Sequence, residues 1–295
     1  MLQNIDLRVK TAALAVGAVM ITAIVGVTSW IVSATDPAAS TVMITNMGSN
    51  SGGSGSILSS SNASSQILTN SHVCEVVANG GLVHTGTGSH AVVSYRQSTL
   101  HDLCLITVAA NLGISTPLAN ASPPNLSAAT VSGHPQLYPL TIAQGTFSGN
   151  RVITIFVGLE NCEPQDYEDP DTGMFCLFLG QKPKLKNFES RFVTALIQPG
   201  SSGSAIYNDA GEISAVVFAG SGGIGYAFAV PYEYVANFVK IEAKTIAPIF
   251  PTMNPLAKKK NRRAEFERFR DLCEEHGTRL GNTLCSTALD TYIYE

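Results

Sequence analysis

The chain has 295 residues, of which 45% are hydrophobic and 14% are charged. This length and composition allow one large domain or two small ones with a real core, and they exclude a chain that is disordered throughout. The net charge of -4 and the pI near 5.9 create no overall field that would attract nucleic acid. We therefore expect no nucleic-acid partner.

An uncharged apolar segment is the first predicted element. Residues 11–34 carry no charge, and a helix of about 20 apolar residues crosses the ~30 Å hydrocarbon layer. Arg8 and Lys10 precede the segment and Asp36 follows it, so the positive-inside rule places the N-terminus in the cytoplasm and the rest of the chain outside. We favour a retained anchor of a single-pass membrane protein. The alternative is a secreted protein whose signal is cleaved near Ala34, but the apolar segment is long for a signal.

Six cysteines, an even number, favour disulfides in an exported chain. Connectivity is not fixed by one sequence, and free buried thiols are the alternative. Two pairs are close in sequence and two cysteines remain: Cys162 with Cys176, Cys273 with Cys285, and then Cys74 and Cys104.

The composition changes along the chain and divides it into four parts. The second part, residues 35–51, is rich in Ser, Gly, Thr and Asn, which suits a tether or a first irregular strand. The last part, residues 246–295, carries a basic stretch. We favour a solvated face for this stretch over contact with nucleic acid or acidic lipid. The parts are a cytoplasmic stub with the transmembrane helix (1–34), a linker (35–51), a β-rich domain (52–245) and a Pro-rich linker with an amphipathic extension (246–295).

Short runs rich in β-branched residues recur about every ten residues through the third part, separated by Gly, Pro, Asn and Ser. This spacing predicts an all-β barrel or sandwich and not alternating βαβ units. Residues 231–244 then predict a helix with proline at its first turn. The predicted strands include "QILTN" (66–70), "LCLITV" (103–108), "MFCLFLG" (174–180) and "EISAVVFAG" (212–220).

Three polar sites next to these strands have the groups that serine catalysis requires. A hydroxyl nucleophile needs an imidazole to take its proton, a carboxylate to orient the imidazole and amide donors for the oxyanion. His72 follows an apolar strand, Asp102 precedes a buried one, and "QPGSSGSAIY" (198–207) supplies three serines in a glycine-rich turn. Taken alone, that turn is also typical of a plain loop.

Seven strings in order connect these sites to a known family. They are "GGSGSIL", "ILTNSHV", "DLCLITV", "GHPQ", "GTFSG", "PGSSGSAIYNDAGEISAVVFAG" and "GIGYAFAVP". Over roughly residues 52–232 the chain resembles the trypsin-fold serine proteases, most closely their HtrA/Deg-like branch. The resemblance implies two six-stranded antiparallel β-barrels with the active site between them. The stretch 249–295 is too short for a PDZ domain, so we expect none.

The resemblance also implies residue roles. His72 would be the general base and Asp102 its orienting acid. The family motif Gly-Asn-Ser-Gly-Gly, laid on residues 200–204, makes Ser202 the nucleophile, with the amides of Gly200 and Ser202 as oxyanion donors. Ser201 and Ser204 depart from the motif, and we expect their hydroxyls to cap backbone groups.

The other histidines do not predict a metal site. No cofactor and no catalytic metal are expected, because the spacing typical of zinc ligands does not occur. His101 should point away from Asp102, on the opposite side of the strand. The remaining histidines are His84, His90, His134 and His276.

By the same resemblance, the primary specificity pocket is lined by uncharged residues. A pocket without a carboxylate cannot pair with Lys or Arg, so we expect small aliphatic side chains at the cleaved position. The acidic segment 158–189 is a surface insertion or a disulfide-closed exosite loop. The expected pocket residues are Leu196, Ile197, Val216, Val217, Phe218 and Tyr226.

The favoured function is a membrane-tethered serine endopeptidase that cleaves exported or misfolded polypeptides through an acyl-enzyme. One alternative is a catalytically silent trypsin-fold module that binds a partner. Another is a protease dedicated to processing one precursor. A homo-oligomer is an open expectation, because HtrA-like relatives are often trimers.

Overall fold

The computed structural model of the protein describes residues 36–46, 49–78, 80–169, 172–221, 225–242 and 271. The predicted anchor, the basic stretch, Cys273, Cys285 and His276 lie outside these residues. Among the described residues, no helix is both long and apolar enough to cross a membrane.

Six antiparallel strands close the first barrel in the order β1-β2-β3-β6-β5-β4. The helix α1 (Pro37–Ser40) precedes them, and α2 (Ser71–Val77) follows β3. The strands are β1 (Thr41–Asn46), β2 (Ser49–Ser60), β3 (Ser65–Thr69), β4 (Gly81–Thr85), β5 (Gly88–Gln97) and β6 (Cys104–Val108).

The second barrel also has six antiparallel strands, closed in the order β10-β11-β12-β9-β8-β7. The helix α3 (Gly173–Leu179) lies between β8 and β9, and α4 (Tyr232–Glu242) follows β12. The strands are β7 (Ala128–Gly133), β8 (Thr141–Asn161), β9 (Gln181–Val193), β10 (Ala205–Tyr207), β11 (Ile213–Gly220) and β12 (Ala227–Val230). The two barrels and the helix after them confirm the predicted fold of the β-rich domain.

The barrel interiors follow from alternation along the strands. In β1, Val42 and Ile44 are fully buried and join a cluster of valines and isoleucines in the first barrel. The second barrel is filled mainly by small residues, with Phe147 as its large member. Buried hydroxyls connect the barrels: Ser56 Oγ lies 2.8 Å from the Tyr207 hydroxyl. Burial of these two hydroxyls is tolerated because each is the other's hydrogen-bond partner.

Two predictions about local structure are corrected. The predicted linker 35–51 contains α1 and β1, because buried Val42 and Ile44 alternate with the partly exposed Met43 and Thr45, as a barrel strand requires. The string 174–180, predicted as a strand, lies mostly in the helix α3. That helix ends at Gly180, which has a φ of +63° that glycine adopts without a Cβ penalty.

The acidic segment 158–189 consists of the ends of a long β8–β9 hairpin and a compact tip. A disulfide between Cys162 and Cys176 closes the tip, as the spacing suggested. Lys182 Nζ lies 2.7 Å from Asp166 Oδ1, which neutralises part of the acidic charge. Strand β9 is rich in charged residues and lacks apolar alternation over most of its length, and the sequence predicted only its last two residues, Phe192 and Val193, as strand.

Candidate active site

Two turns of the first barrel bring His72 and Asp102 together. The chain leaves β3 through Asn70 and enters α2, which has His72 in its first turn. Asp102 precedes β6, the strand that pairs with β3. Because neighbouring strands end at the same edge of the barrel, the two side chains meet there. His72 Nδ1 lies 2.7 Å from Asp102 Oδ2, and the His72 amide donates to Oδ1 at 3.1 Å.

This contact fixes the tautomer of His72. A carboxylate only accepts hydrogen bonds, so Nδ1 carries the proton and Nε2 is the nitrogen that exchanges protons. Burial acts to raise the pKa of Asp102, but the positive charge of His72 and hydrogen bonds from His72 and the Ser71 backbone outweigh it. The pKa of Asp102 therefore lies below its ordinary value, and the carboxylate stays charged at neutral pH.

Three links in addition hold the two turns together. Asn70 Nδ2 donates to the Asp102 carbonyl at 2.8 Å, and Ser71 Oγ donates to the Leu103 carbonyl at 2.8 Å. The third link is covalent, a disulfide between Cys74 and Cys104. Each cysteine lies two residues after one member of the His72–Asp102 pair. In the sequence, Cys74 and Cys104 are only the two cysteines that remain after the local pairs, and no pattern connects them to His72 and Asp102.

The glycine-rich turn of the second barrel has all of its carbonyls anchored. Over residues 199–202, each carbonyl oxygen accepts a hydrogen bond from the protein. The Pro199 carbonyl accepts from the Gln136 amide, and the Ser201 carbonyl accepts from the Ser204 amide at 2.9 Å. The Gly200 and Ser202 carbonyls accept from Ser54, at 2.8 Å from its hydroxyl and 2.7 Å from its amide.

The amides of the same turn divide into two sets. The Ser201 amide donates to Gln198 and the Gly203 amide donates to Val217, each at 2.9 Å. Within the described part of the chain, the amides of Gly200 and Ser202 donate to no acceptor. Because the N–H of a trans peptide points opposite to its carbonyl, both unused amides face away from the anchors. Two free backbone donors this close in sequence are what an anionic oxygen requires.

Glycines allow the turn to lie against the start of α2. A methyl group on Gly53 would lie 2.6 Å from Val73 Cγ2 and 2.8 Å from the Ser202 carbonyl oxygen. Gly53 is thus wedged between the residue after His72 and the Ser202 backbone. A methyl group on Gly203 would collide with the Ser54 carbonyl and with Thr69 Oγ1. The described residues provide no hydrogen-bond partner for the Ser202 hydroxyl, which lies in a half-buried side chain.

The two serines that depart from the family motif have different surroundings. Ser201 Oγ accepts from the Gln198 amide at 3.3 Å, so its predicted capping role is confirmed. Ser204 is fully buried and its hydroxyl has no partner among the described residues, so its predicted capping role is wrong. Ser204 fits because Gly133 on the neighbouring strand has no side chain, and a methyl group there would collide with Ser204 Oγ.

The predicted pocket residues fall into three environments. Val216, Val217 and Phe218 are buried in β11. Leu196 is 67% exposed, and Tyr226 is 37% exposed. The remaining residue, Ile197, is half-buried beside Gly220, where a methyl group would lie 2.7 Å from Ile197 Cδ1.

The histidines and cysteines other than His72 form no metal site in the described ranges. One cluster has suitable distances, Cys162, Asp166 and Cys176, but its sulfurs form a disulfide and cannot act as thiolate ligands. His101 stacks on Tyr234 of α4 with ring centroids 3.9 Å apart. His134 Nδ1 lies 3.0 Å from the Tyr138 carbonyl, and His84 contacts Thr45 and Ser89.

Sequence comparison agrees with this architecture. The chain matches the family described as the trypsin-like peptidase domain over residues 53–216, which is more than half of its length. The chain belongs to this family and is a serine endopeptidase, as the resemblance predicted. No match was found among curated proteins.

Solved structures share the fold at low identity. An inactive form of Rv3671c from M. tuberculosis H37Rv is 22% identical with a TM-score of 0.51, over 74% of this chain and 93% of that one. The active form of the same protease is 19% identical with a TM-score of 0.53, over 75% and 86%. The serine endoprotease from Yersinia pestis is 21% identical with a TM-score of 0.51, over 70% and 64%.

Proposed function

We propose that the protein cleaves peptide bonds through an acyl-enzyme on Ser202, with His72 as general base and Asp102 as its orienting acid. The observation that supports this most strongly is the pairing of His72 with the Asp102 carboxylate, beside a turn that offers two unused amides. His72 and Asp102 lie in the first barrel and Ser202 in the second, as the resemblance implies.

In the proposed reaction, Ser202 Oγ attacks the carbonyl carbon of the scissile bond while His72 Nε2 takes the hydroxyl proton. The oxyanion of the tetrahedral intermediate accepts hydrogen bonds from the amides of Gly200 and Ser202. His72 then gives its proton to the leaving amine, and the C–N bond breaks. Water, activated by the same imidazole, hydrolyses the ester. Asp102 stabilises the imidazolium throughout without taking its proton.

A fluorophosphonate probe tests the nucleophile. It should label the folded protein, and peptide mass spectrometry should place the adduct on Ser202. The label should disappear in Ser202→Ala and persist in Ser201→Ala, a matched control in the same turn. Folded wild type that takes no label would instead support the alternative of a silent binding module. A dedicated processing protease would label but would cleave only one or a few sites in a proteome-derived peptide library.

The proposed specificity is for small aliphatic residues at the cleaved position. Ile197 supports it, because this predicted pocket residue packs closely against Gly220 and would narrow a pocket at that place. In a peptide series, substrates with Ala or Val at this position should be cleaved faster than those with Arg. Ile197→Ala should shift the preference towards Leu, whereas Leu177→Ala, an exposed control outside the predicted pocket, should not. A wild type that prefers Arg would contradict the proposal.

We also propose that residues 11–34 anchor the protease domain on the extracytoplasmic side of a membrane. The uncharged composition of these residues and the basic residues before them support this. The full chain should stay in the membrane fraction after alkaline carbonate extraction, and a chain that lacks residues 1–34 should not. A mature N-terminus near Thr35 would show instead that the segment is a cleaved signal.

A further inference from the structure

Ser54, in β2 of the first barrel, takes part in four hydrogen bonds, and two of them are to the nucleophile turn. It is fully buried. Its amide donates to the Ser202 carbonyl at 2.7 Å, and its hydroxyl donates to the Gly200 carbonyl at 2.8 Å. The same hydroxyl accepts from the His134 amide at 2.8 Å, and the Ser54 carbonyl accepts from Thr69 Oγ1 at 2.7 Å.

The hydroxyl of Ser54 has one orientation available. It accepts from the His134 amide, and its single proton is then directed to the Gly200 carbonyl. A hydroxyl that accepts and donates at once, away from water, holds both partners in place. Ser54 thus ties two segments of the second barrel, the turn after β7 and the nucleophile turn, to the first barrel.

Gly200 is the residue of the turn that most needs this support. Its φ of +89° lies in the region that glycine adopts without penalty, and without a Cβ its flanking peptides rotate easily. The Pro199–Gly200 peptide is held through its carbonyl by the Gln136 amide. The Gly200–Ser201 peptide is held through its carbonyl by the Ser54 hydroxyl. Without the hydroxyl, the Gly200 carbonyl would lose this partner, and the Gly200–Ser201 peptide could rotate through ψ of Gly200 and φ of Ser201. This peptide joins the two peptides that carry the Gly200 and Ser202 amides, so its rotation would change the orientation of the two amides relative to each other.

We propose that Ser54 is a positioning residue whose hydroxyl fixes the Gly200–Ser201 peptide, so that the Gly200 and Ser202 amides on either side of it both face the oxyanion. This inference rests on the proposed function, and it adds a residue outside the triad and the oxyanion donors. Ser54 touches no substrate. It acts on the rate through the orientation of Gly200.

The test compares Ser54→Ala with Ser56→Ala in the full chain. Ser56 is a matched control, because it lies two residues further along β2, is fully buried and has a hydroxyl that contacts Tyr207 of the second barrel. Loss of one oxyanion donor costs about 10²–10³ in kcat. A donor that is only misaligned should cost less, so we expect Ser54→Ala to lose roughly ten- to a hundredfold in kcat with little change in KM. Ser56→Ala should retain kcat within about threefold, with a similar change in Tm.

A transition-state analogue separates positioning from general damage. The affinity of a peptide aldehyde, whose hemiacetal oxygen occupies the oxyanion site, should fall in Ser54→Ala by the same factor as kcat/KM. The affinity of the matching product peptide should stay the same. Equal losses in both variants, or a kcat of Ser54→Ala within threefold of wild type, would overturn the inference.

The two proposals fail in distinguishable ways. A wild type that neither takes the fluorophosphonate label nor cleaves any peptide would overturn the proposed function. The inference on Ser54 would then be decided by a crystal structure of Ser54→Ala. A rotated peptide at Gly200 supports it, and an unchanged peptide overturns it.

Discussion

The two halves of the site are held in different ways. In the first barrel, the turns that carry His72 and Asp102 are joined by two hydrogen bonds and a disulfide, all within that barrel. In the second barrel, the turn 199–204 is held by hydrogen bonds alone, and two of them come from Ser54 of the first barrel. The base and its acid are therefore preformed by one barrel, whereas the geometry of the nucleophile turn depends on how the barrels dock.

The largest effect should come from removing either reacting group. Ser202→Ala and His72→Ala should each lower kcat by about 10⁶, because the triad acts as a unit. Ser201→Ala should retain most of the rate. Steady-state kinetics with a chromogenic peptide measures all three. If Ser201→Ala were as inactive as Ser202→Ala, the nucleophile assignment within the turn would be wrong.

Asp102→Asn should lower kcat by about 10⁴, because an amide donates where the carboxylate accepts and so stabilises the wrong tautomer of His72. Asp102→Asn should also change how the free energy of unfolding depends on pH. The lowered pKa of Asp102 means that its contribution to the free energy of unfolding is present above its ordinary pKa of 3.8. That contribution is lost as pH falls through the lowered pKa. Acid titrations of unfolding should therefore show a steeper loss of stability below about pH 4 in wild type than in Asp102→Asn. Stability curves that run parallel in the two proteins would contradict the lowered pKa of Asp102.

The two disulfides offer a direct comparison between the site and the hairpin tip. The Cys74–Cys104 pair spans 30 residues and the Cys162–Cys176 pair spans 14. Loop-closure entropy predicts that either double alanine variant loses about 3–4 kcal/mol of unfolding free energy. Chemical unfolding measures that loss. Only Cys74→Ala/Cys104→Ala should also lower kcat, since the tip disulfide is remote from His72 in sequence and joins no catalytic segment. Equal effects on kcat would show that the Cys74–Cys104 disulfide matters no more to the His72 and Asp102 turns than the tip disulfide does.

The smallest expected effect tests how the second barrel accommodates Ser204. Gly133→Ala forces a methyl group into Ser204 Oγ and should cost about 1–3 kcal/mol of unfolding free energy. The double variant Gly133→Ala/Ser204→Gly should recover most of that loss, because the colliding atom is gone. Urea unfolding of the four proteins in this cycle gives the coupling energy. Additive losses would show that the two residues do not share the space.

The sequence predicted the barrels and the site to different depths. Alternating β-branched runs predicted most strands, and the order of His72, Asp102 and the glycine-rich turn predicted the site residues through resemblance. Most of strand β9 was missed because its exposed face is charged and its apolar positions are few. The roles of Ser54 and Gly133 were missed because they depend on contacts across the cleft and between strands. The string "GGSGSIL" contained Ser54, but only its position in the barrel distinguishes that serine from Ser56.

The proposed mechanism requires the Ser202 hydroxyl and the amides of Gly200 and Ser202 to act on one carbonyl group. A crystal structure with a bound peptide aldehyde tests it most directly. We predict a covalent bond from Ser202 Oγ to the aldehyde carbon, with the hemiacetal oxygen about 2.7–3.1 Å from both amide nitrogens. A bond to a different side chain, or a hemiacetal oxygen out of reach of both amides, would contradict this mechanism.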